Sequence, residues 1–159
     1  MASVKKLRIA EIIPIKIKGY EKWYSFMISA DDVEDFDEFI ESTELRFNKD
    51  ADISAEAVSE DMYIISVDPK KTAKITMVRN YLQNTKEQGA LESFSEEWDF
   101  VVTEKNVNDL YEFNQEAYKA IGGNGVDVTY NGENVTIGID PKQNSKIKEV
   151  ENWLNSIKG

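Results

Sequence analysis

The 159-residue chain contains no cysteine and no histidine. Without cysteine it can form no disulfide, no zinc–thiolate site and no thiol nucleophile. Without histidine it lacks the usual general base, the commonest metal ligand and any Ser-His or Cys-His pair. Long apolar runs are missing too. The amino-terminal stretch is interrupted by Glu11, Pro14, Lys16 and Lys18, so it holds no signal-peptide core, and no segment approaches a membrane span. A cytoplasmic protein is expected, and the glycosylation sequon at Asn134 then reads as a chance match. No phosphate-cradling glycine loop is present, because Gly122-Gly123-Asn124-Gly125 is followed by neither a helix signal nor a lysine.

Only three prolines occur, and two of them sit in a repeated Asp-Pro-Lys: Asp68-Pro69-Lys70 and Asp140-Pro141-Lys142. The flanks repeat at the same offset of 72 residues. The strand-like run 63–67 matches 135–139, and Ile75, Val78 and Leu82 match Ile147, Val150 and Leu154. Upstream, Tyr24, Phe26 and Ile28 match Trp98, Phe100 and Val102 at an offset of 74. An internal repeat of this length fixes the architecture before any single motif does.

Within each copy the periodicities give an element order. Residues 7–18 alternate, with Ile13, Ile15 and Ile17 on one side, and predict an extra amino-terminal strand. Residues 24–28 predict a second strand. Ser29, with Asp32 three residues on, predicts a helix carrying Val33, Phe36, Phe39 and Ile40 as its apolar stripe. Leu45 and Phe47 are read as a short strand and 48–60 as a polar loop. Met62–Val67 is a β-branched strand, and Asp68 with Pro69 reads as a helix cap and first helical residue. The second copy repeats this order, with a helix from about Val107 to Ile121 and Asn131-Gly132 as a hairpin turn. The expected fold is α+β: a tandem β-α-β-β-α repeat with an extra strand, a mostly antiparallel sheet and helices on one face. The halves are expected at 1–90 and 91–159, packed as one body.

The net charge of −11 is banded. Residues 1–22 carry six basic and two acidic groups, 23–68 fourteen acidic and two basic, 69–90 five basic and one acidic, and 91–117 eight acidic and one basic. Asp31, Asp32, Glu34, Asp35, Asp37, Glu38 and Glu41 form the densest band. Like charges at i,i+4 destabilise a helix, and no lysine interleaves them. The functional expectation is therefore a non-enzymatic, acidic inhibitor that occupies a nucleic-acid-binding or basic protein surface through this helix, with Glu96, Glu97 and Asp99 as a second acidic edge. A solvated helix face is the plainer reading of the same residues.

Other groups carry weaker readings. Lys70, Lys71, Lys74, Lys142 and Lys146 crowd two helix starts and suggest a duplicated anion pocket. Lys16, Lys18, Tyr20, Lys22 and Trp23 mix base and aromatic, as a nucleic-acid-binding module would, but a chain this acidic repels polyanions. Asn48, Asp50, Asp52, Ser54 and Glu56 alternate like a calcium loop, yet Ala55 and Asp61 stand where glycine and glutamate are needed, so no metal is expected. A carboxylate-based metal enzyme is a further alternative. No cofactor is indicated.

Overall fold

The computed structural model describes residues 15–159. Six strands form one sheet: β1 (Glu21–Ser29), β2 (Ile53–Ala57), β3 (Met62–Val67), β4 (Ser95–Thr103), β5 (Val126–Tyr130) and β6 (Asn134–Ile139). Their order is β2-β3-β1-β4-β6-β5, and every neighbouring pair is antiparallel. Four helices complete the chain: α1 (Phe36–Phe47), α2 (Thr72–Glu87), α3 (Leu110–Ile121) and α4 (Asn144–Ser156). The α+β repeat is as expected, and it closes into one continuous sheet.

β1 and β4, the first strands of the two copies, pair at the centre. Tyr24 lies opposite Trp98, its own counterpart at offset 74. A local dyad therefore passes between these two residues, whose rings meet edge-to-face at 5.0 Å. The outer strands obey the same operation. Tyr24 pairs with Val67 and Trp98 with Ile139; Ile53 pairs with Val67 and Val126 with Ile139.

Strand alternation sends one set of side chains to each face. Tyr24, Phe26, Ile28, Tyr63, Ile65 and Val67 pack under Phe39, Phe47, Ile75, Val78 and Leu82 of α1 and α2. Phe100, Val102, Val126, Val135, Ile137 and Ile139 pack under Leu110, Phe113, Ala117, Val150 and Leu154 of α3 and α4. All four helices thus cover one face, as the alternating pattern predicts.

Several local expectations are corrected. Ser29 heads only a single 3-10 turn, Ala30–Asp32, by accepting from the Asp31 N–H at 3.3 Å. Val33 then turns extended to bridge Leu91, and α1 starts afterwards, with Asp35 capping through the Glu38 N–H at 3.1 Å. The pairing of Val33 with Leu91 is what prevents one long helix. Leu45 and Phe47 belong to the last turn of α1, where Phe47 buries its ring one turn beyond Thr43. The loop expected at 48–60 contains β2. Asp68 and Asp140 do not cap helices. Each accepts from the N–H two residues on, Lys70 and Lys142, both at 2.9 Å, and so closes a turn ahead of its helix. Most of the extra strand predicted over 7–18 lies outside the described residues; Ile17 makes only isolated bridges, to Val107 and Lys158.

The face without helices carries a buried polar row. Ser25 and Ser66 approach to 3.0 Å between hydroxyls. Asp99 is buried with Oδ1 unpartnered, and the Glu97 carboxyl lies over Gly138, where any Cβ would collide with it. Burial, then the hydrogen bond and charge of Asp99 and the charge of Asp127, push Glu97 up to about 9. Burial likewise raises Asp99. A carboxyl whose folded pKa exceeds its unfolded value gives stability below the unfolded pKa and loses it as pH rises toward the folded one. Glu97→Gln is therefore expected to raise the unfolding free energy at pH 7 and pH 9 by on the order of 2 kcal/mol, seen as a higher urea midpoint. The gain should vanish near pH 4, which paired denaturation curves at the three pH values will check.

Candidate functional site

The repeat makes the two helix pairs comparable position by position, and the comparison exposes one difference. Between α1 and α2 lies an open groove of about 600 Å³, inside the range of small-molecule sites. Phe39 and Tyr81 form its aromatic wall, with ring centroids 6.5 Å apart. Val33 and Ala90 form its apolar end, Ser42, Thr85 and Gln88 its neutral polar rim, and Glu34, Asp35 and Glu38 its acidic rim.

Sequence position explains each wall. Phe39 sits on the inward stripe of α1 with Thr43 and Phe47, and Tyr81 on that of α2 beside Val78 and Leu82. The Tyr81 hydroxyl and Thr43 hydroxyl lie 3.0 Å apart, which fixes the ring. Arg46 lies 5.3 Å from the centre of the same ring. The end wall is held by backbone: the Glu34 N–H donates to Ala90 at 3.1 Å and the Glu92 N–H to Asp32 at 2.6 Å. Asp35 is committed as the cap of α1, so its carboxylate is fixed at the groove mouth.

In the second half the equivalent space is filled. Thr85 corresponds at offset 72 to Ile157, which is buried against the core of that half. α4 ends at Ser156, and the chain then runs out along Ile17: the Ile17 N–H donates to Ile157 and the Gly159 N–H to Ile17, each at 3.0 Å. Ile17 bridges Val107 as Leu91 bridges Val33. In the first half α2 instead continues as helix to Glu87, and the space beside Thr85 stays open. Consequently Val107 is buried while its counterpart Val33 is only half-buried.

The predicted acidic residues are divided by the fold. Glu34, Asp35 and Glu38 meet at the groove. Asp31 and Asp32 lie on the far side of the Val33–Leu91 bridge, in an adjoining hollow with Glu92 and Lys86. Asp37 and Glu41 stay exposed on α1. No single helix face presents all seven. Glu96, Glu97 and Asp99 make no acidic edge, because β4 is central. Glu96 faces the helices and binds Arg79 at 2.6 Å and the Tyr24 hydroxyl at 2.5 Å. Burial alone would raise Glu96; the Arg79 and Tyr24 hydrogen bonds outweigh it and hold the group below its ordinary value. Glu97 and Asp99 face the opposite side.

The lysines are also distributed. Lys74 is held between Asp50 at 2.6 Å and Asp52 at 2.7 Å, which occupies both the proposed anion ligand and the calcium-like loop. Lys146 pairs with Glu149 at 3.3 Å. Lys70, Lys71 and Lys142 are exposed, and none makes an ion pair among the described residues. No cluster of three or more acidic or other metal-ligating residues capable of holding an ion occurs among the described residues. The basic–aromatic group splits as well: Lys22 pairs with Glu151 at 3.2 Å and Tyr20 donates to Asn155 at 2.9 Å on the helix side, whereas Trp23 shares the opposite face with Asp99. No helix among the described residues is long and apolar enough to cross a membrane.

No protein-family model and no curated protein sequence matches the chain. Solved structures do match by fold. One, described as the crystal structure of aspartokinase alpha and beta subunits, aligns with 87% of this chain and 99% of its own at a TM-score of 0.50 and 10% identity. Another, described as a putative C-terminal regulatory domain of aspartate kinase from Porphyromonas gingivalis W83, aligns with 85% and 94% at a TM-score of 0.44 and 11% identity. What is shared is the fold, an α+β repeat. The likeness to the first of these overturns the expectation of an acidic inhibitor that mimics nucleic acid. The physical reason agrees with it: the acidic row is broken by Val33 into separate surfaces, and the second acidic group is internal.

Missed at the level of sequence were the capping boxes Asp35…Glu38 and Asp109…Glu112, each visible as aspartate with glutamate three residues on. Reading them would have shortened the helix and separated Asp31 and Asp32 from it. The groove itself had one legible signal, the change from Thr85 to Ile157 between otherwise matching helices. Ile157→Ala is expected to unplug the second half, at about 2–4 kcal/mol. Urea denaturation of the variant checks this loss.

Proposed function

We propose that the chain is a regulatory module that senses a small molecule and does no chemistry of its own, and that the effector occupies the α1–α2 groove. The observation that carries the proposal is the unequal treatment of two matching spaces. One is plugged by Ile157 after α4; the other, of ligand size, is lined by Phe39 and the half-buried Tyr81. The fold likeness to an aspartokinase structure is in keeping with a regulatory role beside an enzyme. The lack of histidine and cysteine fits a binding role better than a catalytic one.

A ligand in this groove would touch both α1 and the Glu34–Ala90 connection. Its binding free energy would then act on the spacing of the two helices over the sheet. A ligand shifts such an equilibrium only by its differential affinity for the two arrangements.

The test uses a filled groove. A metabolite panel is screened by thermal shift against the native chain and against Thr85→Phe. Thr85 is half-buried at the rim, so the variant is expected to keep its melting temperature within a few degrees. Compounds that raise the native melting temperature should leave the variant's unchanged. Equal shifts in both proteins would place the effector elsewhere.

A further inference from the structure

From the lining of the same groove, and resting on its reading as an effector site, we infer the ligand's chemical class: a small organic cation, an amine bearing an apolar arm. The argument starts from the cavity. Its wall is lined by half-buried Tyr81 and Val33 and by Phe39, itself only 6% exposed, an apolar surface for a hydrocarbon group. Hydrocarbon alone would not select a partner. Selection comes from the rim, where Glu34, Asp35 and Glu38 stand on one side and no lysine or arginine among the described residues lines the groove.

Among the described residues, four cations are held in ion pairs with acids: Lys22 with Glu151, Lys74 with Asp50 and Asp52, Arg79 with Glu96, Lys146 with Glu149. None of these reaches Glu34, Asp35 or Glu38. The nearest aromatic-stacked cation, Arg46, is placed beside Tyr81 and Phe47 and does not line the groove. The α1 amino terminus offers the rim its partial positive charge, but the Glu38 N–H is already taken by Asp35.

The second half supplies the contrast. It keeps Asp109 and Glu112 at the positions of Asp35 and Glu38, carries Asn108, Glu116 and Ile157 at those of Glu34, Ser42 and Thr85, and its space at this end is closed. Carboxylates thus stand at the corresponding end of both helix pairs, and in the first pair they rim an open groove. An ammonium group beside these carboxylates, with its carbon arm against the apolar wall, satisfies both parts of the lining through ion pairing and apolar burial. An anionic ligand would meet repulsion at the mouth, and a neutral one would gain only the wall.

Three matched probes decide the matter: benzylammonium, benzyl alcohol and phenylacetate, titrated into the full chain while the ¹H–¹³C signals of Val33, Phe39 and Tyr81 are followed. Benzylammonium is expected to shift these signals saturably and to bind at least tenfold more tightly than benzyl alcohol, with phenylacetate weaker still. Glu34→Gln and Glu38→Gln should each weaken benzylammonium several-fold and leave benzyl alcohol unchanged. If benzyl alcohol or phenylacetate binds as well as the amine, the cation assignment falls and the groove remains the effector site. If none of the three moves these signals while all reach them in a denatured control, the groove reading falls with it.

Discussion

The antiparallel pairing of β1 with β4 is the constraint on which the rest of the structure depends. Each half alone has three strands and two helices, too little for a secure core. Joining the first strands of both halves gives each a fourth strand and removes two edges from solvent. The register places Tyr24 against Trp98, so the joint lies on the dyad. A shift of one residue would turn Phe26 and Phe100 out of the core and bring Ser25 and Asp99 into it. The centre of the sheet is thus fixed by burial on the helix side.

That same register has a cost on the other side. Phe100 can face the helices only if Asp99 and Val101 face away, and Tyr24 only if Ser25 does. Two carboxyls, half-buried Glu97 and buried Asp99, are carried into one row with the Ser25 and Ser66 hydroxyls, and no cation among the described residues pairs with them. Gly138 is the accommodation: a side chain there would occupy the place of the Glu97 carboxyl. A polar row at the heart of a sheet therefore follows from the apolar alternation opposite it.

Much of this was legible in the sequence because it rests on periodicity. The repeat at 72 and 74 residues, the strands at 62–67 and 134–139, the Asn131-Gly132 hairpin and the helix-covered face are all short-range patterns that burial reinforces. Gly132 takes a φ of 92°, and the Asn131 carboxamide accepts from the N–H groups of Glu133 and Asn134 at 2.9 and 2.8 Å. What was not legible depends on partners distant in sequence. Val33 becomes extended because Leu91 pairs with it, so a row of acids that looks helical is split. Asp68 and Asp140 find an N–H two residues away before any helix begins, and a helix-start signature becomes a turn. Glu96 reads as surface charge until the helix behind it brings Arg79. The groove is a property of two helices at once, and its clearest trace in the sequence is the unmatched pair Thr85 and Ile157.

That unmatched pair also bears on energetics. Burying an isoleucine side chain stabilises a fold by about 1.5–3 kcal/mol. The second half takes this gain through Ile157 and the backbone bonds of the chain end to Ile17. The first half, with the same strands, register and helix stripes, does without it and leaves Phe39 and Tyr81 at the wall of an open space. Nothing in the backbone of α2 forbids a larger side chain at Thr85, since the position is half-buried and on the same helical stripe as Val78 and Leu82. Stability left unrealised at one of two equivalent positions, beside carboxylates that repel one another, is the kind of local inconsistency found where a surface serves binding. At this end of the helix pair the second half is packed shut by Ile157, and the first half stays open.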